Sequence, residues 1–455
     1  MSLVRIVVVG LVSVLASGAA LAASSELDPS FGQGGVVKID LSPSGIEGRE
    51  KGLTSCPTAD GRRLVVFAAD RGGTTDLNVV RLNQDGSRDM SFGDGGAVRH
   101  AIATRLDTSS VCRADGKIWI ASHWGTGTER RIRLIALGPD GRLVPGGVFG
   151  ISGWSDVLPP PGSTDAMMYG FNQAPDGRAF ISGSSTDASG ERPWLIALKP
   201  SGEMQGWIRI QPPSGHTLTR ATTAGVGPGG GIWLIGRGGG ARWSVFRAYL
   251  DPLTFAVSNL EEFNLPGLSV EPSGGAMVRN GLMLVPAVTF ATFSEPRQPL
   301  LLVMRAGEPI SALALPTPQP MMSGLHTGAG AYGLSVAPLP HGKAIVSMSA
   351  EAWQGSTFAG YKGMYFSRVI IGASAAEDLV DTAFGDAGHT VVSVASSHPS
   401  CVGKLSTQIP TRVDNWSGRP TIVGFHNAVC DPDGLSDAIV LRLRDADSLF
   451  MDGFE

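Results

Sequence analysis

Charged residues are scarce in this chain of 455 residues: they make up 17% of it, and the formal net charge is −4. A surface that binds nucleic acid is clearly basic, so this charge balance argues against a nucleic-acid partner. Long apolar runs are absent after residue 22, so no later stretch is expected to cross a membrane as a helix. Amphipathic periodicity over three or more helical turns is also missing. These absences favour a strand-rich protein without a membrane span.

The first 22 residues have the pattern of a signal peptide. Arg5 precedes an apolar run at 6–16, and the segment ends in the small residues Ala20-Leu21-Ala22. This pattern predicts cleavage near Ala22 and an exported mature chain, 23–455, that is secreted or periplasmic. An uncleaved anchor or a buried first strand is the alternative.

Cysteine is rare, with four residues in the whole chain. In an exported protein, four cysteines predict two disulfides, and three pairings are possible. Cys56 and Cys112 each precede an Asp-Gly turn at equivalent places in successive repeats, which favours pairing them with each other. Cys401 and Cys430 then fall together in the last unit. Four unpaired buried thiols are the alternative.

Glycine and proline, in contrast, are abundant, at 62 and 30 residues. Many of the glycines belong to a recurring Ser-Phe-Gly-x-Gly-Gly-x-Val element. Its copies lie at 30–37, at 91–98, in a worn form at 148–154 and in a late form at 382–392. Because Phe31, Phe92 and Phe149 follow one another at intervals of 61 and 57 residues, the chain is predicted to repeat a unit of about 60 residues.

A second marker, a small polar turn that opens an apolar run, gives the number of units. It recurs near residues 59, 114, 175, 229, 279, 340 and 416. Short apolar runs separated by glycine turns are typical of antiparallel strands. The pattern therefore predicts an all-β propeller of seven blades, with an open β-solenoid as the alternative. The chain begins inside a repeat, so its N-terminal strand is predicted to close the ring by completing the last blade.

These repeats resemble the delta-60 repeat family of bacterial exported proteins. The stretch "QDGSRDMSFGDGGAV" at 84–98, followed by "ADGKIWIAS", is similar to that family's "DGSLDxSFGxGGxV" and "PDGKIxVxG" patterns. The resemblance is strong over 26–150, weak over 170–350 and visible again near 381–394. It implies a propeller-like repeat protein, and it transfers no catalytic residue.

Tryptophans supply the candidate ligand contacts. Trp119 and Trp233 follow the turns at a repeated position, which predicts packing between blades. Seven further tryptophans fall outside that phase, beside variable loops: Trp124, Trp154, Trp194, Trp207, Trp243, Trp353 and Trp416. Among these, Trp124 and Trp353 are the predicted ligand-binding candidates.

Acidic residues offer candidates for a metal site and for catalysis. Asp431, Asp433 and Asp437 surround a glycine turn and are candidate calcium ligands, although their spacing matches no complete calcium loop and favours a simple turn. The pair Glu261-Glu262 and the group Glu377, Asp378 and Asp381 could be imagined as a glycosidase pair, but sequence cannot place two carboxylates opposite each other.

We therefore predict an exported, monomeric, non-enzymatic propeller without a cofactor. It would act as a binding module or scaffold at the cell envelope or outside the cell, for a glycan or an envelope protein. The alternative is a hydrolase or lyase acting on polysaccharide at the mouth of the propeller channel. Acids, histidines and aromatics converging at that mouth would favour the enzyme, and a channel lined by small and apolar residues would favour the scaffold.

Overall fold

The structure is a computed structural model. It describes residues 26–41, 49–71, 74–102, 108–124, 130–158, 163, 165–240, 242–279, 281–318, 326–354, 357–392, 407–416, 419–427 and 436–444. The predicted signal peptide lies outside the described residues. Among the described residues, no helix has the length and apolarity needed to span a membrane.

Strands make up almost all of the regular structure, because short Val-, Ile- and Leu-rich runs alternate with glycine turns. In chain order they are β1 Val36–Ile39, β2 Arg49–Pro57, β3 Arg63–Arg71, β4 Thr74–Leu82, β5 Ala97–His100, β6 Thr108–Cys112, β7 Ile118–Trp124, β8 Arg131–Leu137, β9 Trp154–Val157, β10 Asp165–Gln173, β11 Ala179–Asp187, β12 Gly190–Leu198, β13 Met204–Arg209, β14 Leu218–Val226, β15 Ile232–Gly238, β16 Val245–Leu250, β17 Val257–Phe263, β18 Ser269–Pro272, β19 Met277–Arg279, β20 Leu282–Phe290, β21 Gln298–Arg305, β22 Ser311–Ala314, β23 His326–Pro338, β24 Lys343–Gln354, β25 Thr357–Ile370, β26 Leu379–Val380, β27 His389–Val392, β28 Thr407–Trp416, β29 Arg419–Asn427 and β30 Ser436–Arg442. Helical structure in the described residues consists of 3-10 turns at Gly147–Phe149, Pro228–Gly230 and Ala375–Glu377.

The strands form seven antiparallel blades, which confirms the predicted propeller. Blades 1 to 4 are β2–β5, β6–β9, β10–β13 and β14–β17, blade 5 is β18–β22, blade 6 is β23–β27, and blade 7 is β28–β30 with β1. The first strand of the chain therefore completes the last blade: Val36 is the register partner of Leu441, and Ile39 that of Ala438. The predicted closure of the ring by the N-terminal strand is confirmed.

The apolar core is divided among the spaces between neighbouring blades. The repeated phenylalanines fill these spaces: Phe31 packs between blades 7 and 1, Phe92 between blades 1 and 2, Phe149 between blades 2 and 3, and Phe384 between blades 6 and 7. The repeated position after each turn is buried as well, as at Trp119 and Trp233. Each blade is therefore stabilised mainly by its neighbours.

The glycines of the repeated element have unequal roles. A Cβ at Gly93, where φ is +60°, would lie 2.1 Å from the carbonyl oxygen of Ala97, so this position admits no side chain. At Gly95 φ is +56° and nothing lies within 4 Å of a built Cβ. Ala387 occupies the equivalent place in the late copy, with φ +49°. The first glycine is therefore fixed by a clash and the second by backbone conformation alone.

An aspartate three residues before the phenylalanine is held by an arginine that also lies over the phenylalanine ring. In three places an Arg Nε donates to an Asp Oδ2 at 2.8 Å, and the Arg Cζ lies 4.5 to 5.1 Å from the ring centroid. These Asp–Arg–Phe triplets are Asp89, Arg81 and Phe92; Asp381, Arg368 and Phe384; and Asp28, Arg442 and Phe31. They combine an ion pair with a cation–π contact.

One disulfide joins the innermost strands of blades 1 and 2. Cys56 and Cys112 are bonded, with Cα atoms 5.5 Å apart, so this predicted pairing is confirmed. The predicted pairing of Cys401 with Cys430 lies outside the described residues. The Cys56–Cys112 bond fits an oxidising compartment such as the periplasm or the medium.

Candidate ligand-binding site

The two faces of the ring carry different connections. Because each blade is antiparallel, the turns joining its first to second and third to fourth strands lie on one face, which we call the turn face. The connections between second and third strands, and those between blades, lie on the other face, which we call the loop face.

A polar cluster lies on the loop face, at the ends of strands from blades 3 and 4. Glu191 on β12 accepts hydrogen bonds from the Ser184 hydroxyl and from Arg220 Nε, both at 2.8 Å. Arg237, the register partner of Arg220, has its Nη2 3.8 Å from Glu191 Oε2. Tyr169 on β10 lies under the Arg220 guanidinium, with 5.2 Å from Cζ to the ring centroid. Two cations, one phenol and one carboxylate thus meet beside the innermost strands.

This cluster continues into a series of aromatic rings in blades 4 and 5. Arg237 Cζ lies 3.8 Å from the ring centroid of Trp243. The Trp243 ring lies 5.1 Å from that of Phe293 and 5.5 Å from that of Phe290. Phe293 is 64% exposed, an unusual state for so large an apolar side chain. The arrangement offers an open aromatic surface beside charged hydrogen-bonding groups.

The same series reaches blade 6 through Arg297. Its Cζ lies 5.6 Å from the Phe290 ring centroid, and its Nη1 donates to Glu351 Oε1. Glu351 in turn accepts a hydrogen bond from the Trp353 indole at 3.0 Å. We call the whole series the arginine–aromatic chain, and it consists of Tyr169, Glu191, Arg220, Arg237, Trp243, Phe290, Phe293, Arg297, Glu351 and Trp353.

Electrostatics in the arginine–aromatic chain favour hydrogen bonding over proton transfer. Burial raises the pKa of Tyr169, and the nearby Arg220 opposes that shift without reversing it, so the phenol stays protonated at neutral pH. Burial also raises the pKa of Glu351, against the opposing effects of Arg297 and Trp353. The Glu351 side chain is fully buried, so it is closed to a substrate. Glu191 is already paired with Arg220.

Along the ring axis, the inner strands enclose a small cavity of about 70 Å³. Small-molecule sites usually have 300 to 1,000 Å³, so this space is too small for a sugar. Its described lining consists of Leu53, Ser109, Ser110, Phe171, Asn172, Gly274, Gly275, Ala276, Ser335, Val336, Thr411, Arg412 and Val413. Apart from Arg412, these residues are apolar or uncharged, and the described lining includes no carboxylate and no histidine.

The tryptophans singled out from the sequence have different positions in the fold. Trp353 belongs to the arginine–aromatic chain but is only 3% exposed, with its ring 5.4 Å from that of Phe358. Trp124 ends β7 on the loop face, and its side chain lies outside the described residues. Their role in ligand binding stays a prediction.

The acidic candidates from the sequence are dispersed. Asp431 and Asp433 lie outside the described residues, and Asp437 is on β30, with its Oδ2 4.0 Å from His426 Nδ1. Within the described ranges, no group of three or more His, Cys, Asp and Glu side chains could hold a metal ion.

Three of the acidic residues that the sequence offered for a glycosidase pair form ion pairs with arginines. Glu261 pairs with Arg247 and Asp378 with Arg305, both at 2.5 Å. Asp381 belongs to one of the Asp–Arg–Phe triplets.

Sequence reasoning missed most of the arginine–aromatic chain. Trp243 was among the tryptophans outside the repeat phase, but the arginines beside it gave no periodic signal. A usable signal was present at 290–293, where "FATF" places two phenylalanines in a variable connection.

Comparison with known proteins gives structural likeness alone. No protein-family model and no curated protein matches the chain. Among solved structures, it is similar to a protein of unknown function from Dyadobacter fermentans, at 12% identity and TM-score 0.45, covering 90% of this chain and 99% of that one. It is also similar to the polysaccharide lyase Uly1, at 12% identity and TM-score 0.42, covering 70% and 77%. A third is the β-propeller domain of the Trilobed protease from Pyrococcus furiosus, at 9% identity and TM-score 0.40, covering 87% and 95%. These similarities concern overall architecture and say nothing of a substrate.

Proposed function

We propose that this protein is an exported, non-enzymatic propeller of the delta-60 repeat type that binds an extracellular glycan on its loop face. The observation that carries the proposal is the exposed ring of Phe293 beside Trp243, Arg237 and Arg220. Aromatic faces pack against the C–H face of a sugar ring, while paired arginine and carboxylate groups bind its hydroxyls. This combination supports a saccharide better than it supports a purely apolar or purely anionic ligand.

The state of the acidic groups supports binding rather than catalysis. Hydrolysis of a glycosidic bond needs two carboxylates that flank the bond, one of them protonated and accessible. Glu191 is held by Arg220, and Glu351 is closed off by Arg297 and Trp353. A lyase that used Tyr169 as a base would need a lowered pKa, whereas burial raises it.

The test is a binding screen of the mature, oxidised chain against common polysaccharides and cell-wall fragments, by thermal shift and then by titration calorimetry. For a glycan that binds, we expect Phe293→Ala and Arg220→Gln to weaken affinity about tenfold each, since interface anchors contribute more than about 1 kcal/mol. Leu253→Ala is the matched control, because Leu253 is 81% exposed but belongs to a turn-face connection between β16 and β17.

The same samples are assayed for new reducing ends and for unsaturated products. Unchanged affinity in both loop-face variants would place the glycan elsewhere and overturn the proposed site. Cleavage of the bound glycan by the wild type would instead support the hydrolase or lyase alternative.

A further inference from the structure

Two arginines near the ring axis differ in their partners: Arg63 is engaged by a carboxylate and Arg412 is not. Arg63 on β3 donates from Nη2 to Asp414 Oδ2 and, at 3.4 Å, to the carbonyl oxygen of Ser55. Its guanidinium Cζ lies 5.2 Å from the ring centroid of Trp416. Burial lowers the pKa of Arg63 to about 9, with the charge of Arg412 adding to the effect. Asp414 is therefore engaged by Arg63.

Arg412 on β28 has no such partner. Its Nη1 donates to the carbonyl oxygen of Ser110, across the ring from blade 7 to blade 2. Its Nε is buried without a hydrogen bond among the described residues, and no described carboxylate forms an ion pair with it. Burial lowers its pKa to about 10, so it remains charged at neutral pH. The Arg412 residue is only partly exposed, and a charge that is largely removed from water without compensation is unfavourable.

Arg412 lines the axial cavity together with two serines whose hydroxyls can donate a hydrogen bond. Ser110 is only 3% exposed, and its hydroxyl is buried without a hydrogen-bond partner among the described residues. The Ser335 hydroxyl oxygen accepts the Val413 N–H at 3.3 Å, which leaves its own O–H available. None of the described lining residues carries a negatively charged side chain. A volume of about 70 Å³ is enough for a small ion.

We infer that the axial cavity is a binding site for a small monovalent anion of the halide type, held by Arg412 with the hydroxyls of Ser110 and Ser335. The anion neutralises the unpaired guanidinium and gives both hydroxyls an acceptor. Because Ser110, Ser335 and Arg412 belong to blades 2, 6 and 7, the bound anion connects three blades at the centre of the ring. The site is independent of the glycan surface on the loop face.

The experiment titrates sodium chloride into the mature protein at constant ionic strength, with sodium gluconate as the replacement salt because gluconate is too large for the cavity. We expect the melting temperature to rise by about 1–3 °C between 5 and 500 mM chloride, as a ligand of the native state requires. In parallel, the chloride-35 NMR line should broaden in the presence of the protein. Bromide should compete with chloride in this measurement.

Variants at Arg412 give the specific readout. Arg412→Met should remove both the chloride response of the melting temperature and the line broadening, whereas Arg412→Lys should retain part of each. The control is Arg242→Met, at an exposed arginine of the loop face, which should leave both unchanged. At low chloride, Arg412→Met should melt at the wild-type temperature or above it, because it removes a partly buried charge that no described carboxylate pairs with. Equal melting of the wild type in chloride and gluconate, without line broadening, would overturn the inference even if Arg412→Met failed to fold. An equal chloride response in Arg412→Met would overturn it too.

Discussion

Replacing Phe92 with alanine tests whether packing between blades stabilises the ring. The Phe92 side chain is 3% exposed and lies among apolar residues of blades 1 and 2. Truncation of a buried phenylalanine costs about 3–5 kcal/mol, because it removes buried area and leaves a cavity. The lost cation–π contact with Arg81, now 4.9 Å from the ring centroid, is included in that range. Whole domains have only about 5–15 kcal/mol of stability, so the loss should be large.

The assay is urea unfolding followed by tryptophan fluorescence and far-UV circular dichroism on the same samples. Both probes are needed because arrays of repeats can unfold in stages, and coincident curves justify a two-state free energy. Phe293→Ala serves as the control, since Phe293 is 64% exposed and its loss should change the free energy of unfolding by less than about 0.5 kcal/mol. If Phe92→Ala lay within 1 kcal/mol of the wild type, the interblade argument would be wrong.

Three further predictions follow from the repeated elements. Cys56→Ser with Cys112→Ser should lower the free energy of unfolding by about 2–4 kcal/mol, because the bond closes a loop with a sequence separation of 56; an unchanged urea midpoint would contradict this. Asp89 has its pKa lowered to about 2, mainly by the Ser91 hydroxyl and, against opposing burial, by Arg81. The ordinary pKa of an aspartate is 3.8, so the stabilising effect of Asp89 is complete above that pH and disappears as the pH falls towards 2. Asp89→Asn should therefore flatten the fall in melting temperature from pH 4 to pH 2, and parallel curves for the variant and the wild type would disprove it. Gly93→Ala should lower the melting temperature far more than Gly95→Ala, because a Cβ at Gly93 would lie 2.1 Å from a carbonyl oxygen while the one at Gly95 meets nothing within 4 Å; equal melting would refute the clash.

Features that recur along the chain could be predicted from the sequence. The glycine turns and the buried phenylalanines depend on neighbours within one repeat or the next, so the number of blades, their phase and the Cys56–Cys112 pairing were all visible. The Asp28–Arg442 pair was not, since these two residues are 414 apart in sequence. Their contact exists only once the ring has closed.

The candidate site was hidden for a related reason. Tyr169, Arg220, Trp243 and Arg297 come from three different blades, and each lies outside the stretch where the repeat is strong. Their proximity depends on the order of blades around the axis rather than on local spacing. A function carried by departures from a repeat cannot be found by following the repeat.

The pairing of β1 with β30 also determines when the ring can close, because blade 7 is complete only when both strands are present. During synthesis β1 emerges first and its partner last, since Val36 pairs with Leu441. At about 5–20 residues per second, the nascent N-terminal segment waits roughly 20–80 s for that partner. Throughout that interval the growing chain has two exposed strand edges that can associate with other chains. A chain truncated before residue 436 therefore lacks β30, the partner of β1, and cannot close its ring however long it is given to fold.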